Sequence, residues 1–185
     1  MSERTIYSEE ILAEWCSKGD RKSQKYLYET YANVMFRMLL RYVGNENDAD
    51  DVLVVAFTKV LKKMGSFCFR GRGSLEAWIK KIIVNEALMF LRAHKETEDI
   101  ADHPEIADAT DFAAELDAED IYALVRNLPE GYRTVFNLFI IEGYSHQEIA
   151  QMLNISESTS KTQLNKARKK LQDKIIKTKT GYELG

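Results

Sequence analysis

The sequence predicts an all-α chain of two helical domains joined by an acidic linker, the C-terminal domain containing a helix-turn-helix. Three observations predict it. Apolar residues recur at three- and four-residue intervals nearly throughout, the period of helices that bury one face. Two prolines and nine glycines among 185 residues leave few turns for the short strands of a sandwich or barrel. Charge is sorted along the chain beneath a net value of −3. Residues 59–95 hold nine Lys/Arg against Glu76 and Glu86, residues 96–120 hold eleven Asp/Glu and no Lys or Arg, and residues 161–179 hold eight Lys/Arg against Asp173. Two basic modules able to touch a polyanion are thus separated by a segment that a polyanion would repel.

The first domain is expected over residues 1–95. Ser8 can cap a helix carrying Ile11, Leu12 and Trp15, with Gly19 placed for a left-handed ending. Asp20 opens a long helix whose stripe runs through Tyr26, Leu27, Tyr31, Val34, Met35, Met38, Leu39 and Tyr42 to Gly44. Asn47 with Asp50 resembles a capping box for a third helix bearing Val52, Leu53, Ala56, Phe57, Val60, Leu61 and Met64. After the loop 66–73, Ser74 caps a fourth helix bearing Leu75, Trp78, Ile79, Ile82, Ile83, Phe90 and Leu91. Residues 96–117 are acidic, contain Pro104 and lack apolar periodicity, which makes them the linker.

The second domain spans 118–185. Ile121, Leu124, Val125 and Leu128 mark one helix; Pro129 suits the first turn of the next, where Tyr132, Val135, Phe136, Leu138, Phe139 and Ile140 point inward until Gly143. Ser145 and Glu148 form a capping box for a short helix through Leu153. Asn154 and Ser156 supply the turn before a final helix to about Lys177. Short helix, tight turn and second helix match a helix-turn-helix, in which Ala150 permits close approach and Asn154 tolerates the left-handed conformation. Leu164, Ala167, Leu171 and Ile175 then face the core. Ser158, Lys161, Thr162, Asn165, Lys166 and Lys169 occupy the opposite face, a set of hydroxyls, amides and cations suited to base edges and phosphates. An ordinary helical hairpin with a solvated lysine-rich end is the alternative.

Phe67, Phe69 and Trp78 interleave with Arg70, Arg72, Lys80 and Lys81, a mixture that can stack on unpaired bases while neutralising their backbone. Taken alone, these aromatics fit a hydrophobic core equally well. The carboxylates Glu46, Asp48, Asp50 and Asp51 lack the glycine and twelfth-position glutamate of a calcium loop, and a helix N-terminus favours acidic residues without any ligand. His94, His103 and His146 read as surface residues. Cys16 and Cys68 read as reduced thiols of a cytoplasmic protein, and no run is apolar enough to insert in a membrane. No phosphate-binding loop, dinucleotide glycine motif or nucleophile elbow occurs, so no catalytic residue, metal or cofactor is expected.

Asp48-Ala49-Asp50-Asp51-Val52 followed by Phe57, then residues 69–79 (FRGRGSLEAWI) with Asn85 and Arg92, resemble region two of bacterial sigma factors of the extracytoplasmic-function (ECF) group. Residues 128–136 (LPEGYRTVF), 142–150 (EGYSHQEIA), Ser158-Thr159-Ser160-Lys161 and Lys166-Ala167-Arg168 resemble that family's region four. The resemblance implies a non-enzymatic initiation factor whose partners are core RNA polymerase and promoter DNA, with an anti-sigma protein as a further candidate. It assigns the polymerase dock to the helix starting near Asp48, with Asp50, Asp51, Val54 and Val55. The minus-ten element falls to Phe67, Arg70, Arg72, Trp78, Lys80, Lys81, Asn85 and Arg92, and the minus-thirty-five element to the six residues of the last helix. Two departures stand out: Val54 and Val55 replace the family's usual Gln-Glu, and Ser158 and Ser160 replace its usual Gly-Val pair around Thr159. A stand-alone helix-turn-helix repressor or activator is the alternative function.

Overall fold

The computed structural model describes the backbone of residues 8–98 and 118–180 and the side chains of residues 8–94 and 121–175. Contacts divide the chain into two units, 1–96 and 97–185. Among the described residues every regular element is a helix.

In the first unit, α1 (Glu9–Ser17) starts where the Ser8 hydroxyl accepts the Ile11 amide and ends ahead of Gly19 at φ +82°. Asp20 opens α2 (Arg21–Val43) by accepting the Ser23 amide at 2.7 Å, the main reason its carboxyl is held below its ordinary pKa. Gly44, left-handed at φ +94°, closes α2. α3 (Glu46–Lys63) begins two residues earlier than Asn47 and Asp50 predicted. Asn45 caps it, with Oδ1 accepting the Asp48 amide at 2.9 Å and Nδ2 donating to the Asp48 carboxylate at 2.6 Å. A 3₁₀ turn (Met64–Ser66) leads to the loop, and α4 (Ser74–Glu98) runs past the expected domain boundary at 95. Residues 99–117 of the expected linker lie outside the described residues.

Leu27, Met35 and Leu39 of α2, Val60 of α3, and Leu75, Ile79 and Ile83 of α4 are fully buried, each worth about 1.5–3 kcal/mol on transfer from water. Lys59 of α3 meets Glu86 of α4 at 2.6 Å, giving an almost buried carboxylate the charged partner it requires. Three expectations fail here. Ile11, Trp15 and Val34 are exposed, because α1 buries the neighbouring face formed by Leu12, Ala13 and Cys16, and α2 buries Met35 in place of Val34. Cys16 is wholly buried, which, with the Asp20 charge as a lesser cause, pushes its thiol pKa up to about 11.

The second unit contains α5 (Ala118–Arg126), α6 (Glu130–Phe136), α7 (His146–Leu153) and α8 (Glu157–Thr180). Pro129 stands one position before α6. The end of α5 is held by side chains from the neighbouring helices. Arg133 Nη1 donates to the Arg126 carbonyl at 2.8 Å, and Lys174 Nζ donates to the Asn127 carbonyl at 3.4 Å. Burial lowers the Arg133 pKa from its ordinary value. Val125, Leu128, Ala167 and Leu171 form a buried cluster, with Leu124, Tyr132 and Phe136 against it. α6 runs into a π-helical turn (Asn137–Ile141), in which the Glu142 amide reaches back five residues to the Asn137 carbonyl at 3.0 Å. A simple 3.6-residue period missed this turn, and Ile140, expected inward, is exposed.

Candidate nucleic-acid interface

The α7–α8 pair is held at three points by local chemistry. Ser145 Oγ accepts the Glu148 amide at 3.2 Å while Glu148 Oε2 accepts the Ser145 amide at 2.8 Å, the reciprocal cap expected from their spacing. Asn154 adopts φ +54° and ψ +47°, turning the chain, and Ser156 Oγ accepts the Thr159 amide at 3.0 Å to start α8. Leu164, Ala167 and Leu171 are buried and Ile175 is half-buried. Ser158, Lys161, Thr162, Asn165, Lys166 and Lys169 are all exposed, and at 100° per residue they fall within an arc of about 140°.

These six residues differ in what they can offer a ligand. Lys161 is paired with Glu157 at 2.7 Å, and that hydrogen bond and its charge hold the Glu157 carboxyl below its ordinary pKa. The Lys166 ammonium lies 6.0 Å from the Tyr132 ring centre, at the outer limit of cation–π attraction, so its charge still faces outward. Thr162 Oγ1 donates to the Ser158 carbonyl at 2.9 Å, leaving its oxygen lone pairs as acceptors.

One contact in this pair was missed. Ser160, at 0% exposure, places its hydroxyl 2.9 Å from His146 Nδ1, and the His146 ring stacks on Phe139 with centroids 4.3 Å apart. His146 is therefore half-buried in the helix-helix joint and not a plain surface residue. A serine at a core position was the available signal: a buried hydroxyl requires a partner.

In the first unit, Trp78, Lys81, Asn85 and Arg92 share an outward stripe of α4, with Met89 among them. Lys80 lies about 140° round from Asn85 and pairs with Glu76 at 2.9 Å, apart from that stripe. Phe67 leans on Trp78, ring centres 5.5 Å apart, and both stay half-exposed. They therefore combine partial packing with an open aromatic edge. Phe69, Arg70 and Arg72 are exposed on the loop, whose bends rest on Gly71 at φ +112° and Gly73 at φ +87°. On α3, Val54 and Val55 are both open, at 61% and 49% exposure, beside exposed Asp50 and Asp51. Asp48 is half-buried and engaged in the helix cap. Among the described residues no group of His, Cys, Asp and Glu is arranged to hold a metal ion, and no helix is long and apolar enough to cross a membrane.

Residues 27–97 match the family profile of Sigma-70 region 2, and residues 118–171 match that of Sigma-70, region 4. The chain belongs to the sigma-70 family. Its curated relatives place it in the ECF group of transcription initiation sigma factors. The ECF RNA polymerase sigma-E factor of Haemophilus influenzae is 28% identical over 183 residues, covering 91% of this chain and 95% of that protein. That of Escherichia coli K12 is 26% identical over 184 residues, covering 91% and 94%. A solved structure, the sigma factor RpoE in complex with the anti-sigma factor NepR from Bartonella quintana, shares the fold at TM-score 0.52 and 21% identity, covering 80% of this chain and 94% of that one. In this sigma-70 family chain, region 2 extends from within α2 to α4 and region 4 from α5 into α8, while α1 precedes both matched segments.

Proposed function

We propose that this sigma factor binds core RNA polymerase through the outward stripe of α3 and recognises promoter DNA with both units. On α3, Asp50, Asp51, Val54 and Val55 form the dock, and Asp48 supports it by holding the side chain of the capping Asn45. The loop residues Phe67, Arg70 and Arg72, with Trp78, Lys81, Asn85 and Arg92 of α4, engage the opened minus-ten element. Aromatic edges stack on unpaired bases while the cations meet their backbone. Lys80 stands outside that surface. The exposed face of α8 enters the major groove at the minus-thirty-five element. The protein acts in the cytoplasm as a binding factor, without catalytic residues, metal or cofactor, and an anti-sigma protein is a further partner.

The observation that supports this reading best is the exposure of all six polar or cationic residues on one arc of α8, opposite a buried Leu164–Ala167–Leu171 seam. Run-off transcription with core polymerase and genomic DNA tests it. Discrete transcripts that require both core polymerase and this chain are expected. Tight binding of the chain alone to a palindromic duplex, with no transcripts, would instead identify a stand-alone regulator.

A further inference from the structure

α4 begins at the end of the loop that carries Phe67, Arg70 and Arg72, and Ser74, its first residue, does not cap it. The Ser74 hydroxyl is turned back to accept the Arg70 amide at 3.2 Å. A single carboxylate 64 and 66 positions away takes the Gly73 and Leu75 amides: Glu9 of α1 accepts them on Oε1 at 2.8 Å and Oε2 at 3.1 Å. A charged acceptor at a helix N-terminus gains from the peptide dipoles and forms hydrogen bonds stronger than neutral ones. The loop ahead of it turns on two left-handed glycines, which supply no side chain to lock the backbone. Its downstream end is therefore held from α1 as well as by the local bond from the Ser74 amide to the Gly71 carbonyl at 3.1 Å. Because Glu9 fills the α4 N-terminus with negative charge, contact with a DNA backbone is left to the arginine side chains.

We infer that Glu9 is a positioning residue for promoter opening: by tying the start of α4 to α1, it sets the orientation in which Phe67, Arg70, Arg72 and Trp78 meet the minus-ten strand. The inference rests on the proposed function and adds a residue outside both family-matched segments. Its anchoring half is testable without polymerase.

Glu9→Gln keeps the side-chain length but removes the charge and replaces one acceptor with an NH₂ that faces a donor. In the full chain, trypsin should cut after Arg70 and Arg72 about tenfold faster, the scale of losing a strong helix cap, with its other sites unchanged. With core polymerase, opening of a duplex promoter, read by permanganate reactivity of minus-ten thymines, should slow about tenfold while core affinity stays within about twofold. A template already mismatched across the minus-ten element should restore initiation. Glu9→Asp, one methylene shorter, should fall between, and Glu10→Gln on the same helix should change nothing.

An unchanged cleavage rate overturns the anchor. Equal loss on duplex and mismatched templates, together with weaker core binding, shows a purely stabilising role and also overturns the inference. If the unaltered chain initiates on neither template, the proposed function fails, and the trypsin comparison still decides the anchor.

Discussion

Replacing both valines of the α3 stripe tests the polymerase dock most directly. Fully burying a valine is worth about 1.5–3 kcal/mol, so covering Val54 and Val55, 61% and 49% open in the free chain, would contribute about 1 kcal/mol each. The double variant Val54→Lys, Val55→Lys forfeits that burial, and it also places two ammonium groups where the partner surface closes. Core affinity should fall by about 2 kcal/mol or more, roughly thirtyfold. Folding should not suffer. The new lysines stand four residues after Asp50 and Asp51, an arrangement that adds about 0.3 kcal/mol per pair, and lysine is at least as good a helix former as valine. Titration of labelled chain with core polymerase, beside a circular dichroism melt, separates the outcomes. An unchanged melt with affinity within twofold of the parent removes this helix from the interface. A collapsed melt would show that the valines contribute to the core.

On α8, Lys166→Ala should weaken binding of polymerase-bound chain to minus-thirty-five duplex and flatten the salt dependence by about one counterion. Lys161→Ala, whose charge is already matched by Glu157, should do less; equal effects would argue against this assignment. Leu164→Ala should destabilise the second unit by about 2–5 kcal/mol through a cavity, seen as lost hydrogen-exchange protection in α8 with the first unit unaffected. A double-mutant cycle on His146→Ala and Ser160→Ala should give a coupling of about 1 kcal/mol from their 2.9 Å hydrogen bond; additivity within about 0.3 kcal/mol would mean that the bond contributes nothing net.

Features set by neighbouring residues were legible in the sequence. Ser8, Asp20, Gly44, the Ser145–Glu148 box and the left-handed Asn154 all follow from spacing, because a cap or turn is made by residues within about one helical turn. The exposed face of α8 followed for the same reason: its buried seam repeats at helical intervals, so the open face is determined by elimination. Contacts closed by the fold were not legible. Glu9 capping α4 and Ser160 meeting His146 each join residues whose separation no local period encodes. Composition alone does not separate Lys80 from Lys81; the phase of α4 sets Lys80 on another face, where it pairs with Glu76. The start of α3 was displaced by competition between Asn45 and Asn47, two residues equally suited to cap. Gly44 decides it, since the chain leaves its left-handed bend directly into the extended conformation of Asn45.

The π turn between α6 and Gly143 also bears on how the chain length can vary. Deleting a residue from an ordinary helix interior rotates everything beyond it by about 100° and exposes the buried face. Residues 137–141 already hold the slack of a wider turn, so a one-residue deletion there can tighten to α-helical winding without breaking the rod. What such a deletion would alter is the direction of Phe139, inside the turn, and hence the ring against which His146 rests. Relatives one residue shorter at this point would retain the helix but require another support for the α7–α8 joint.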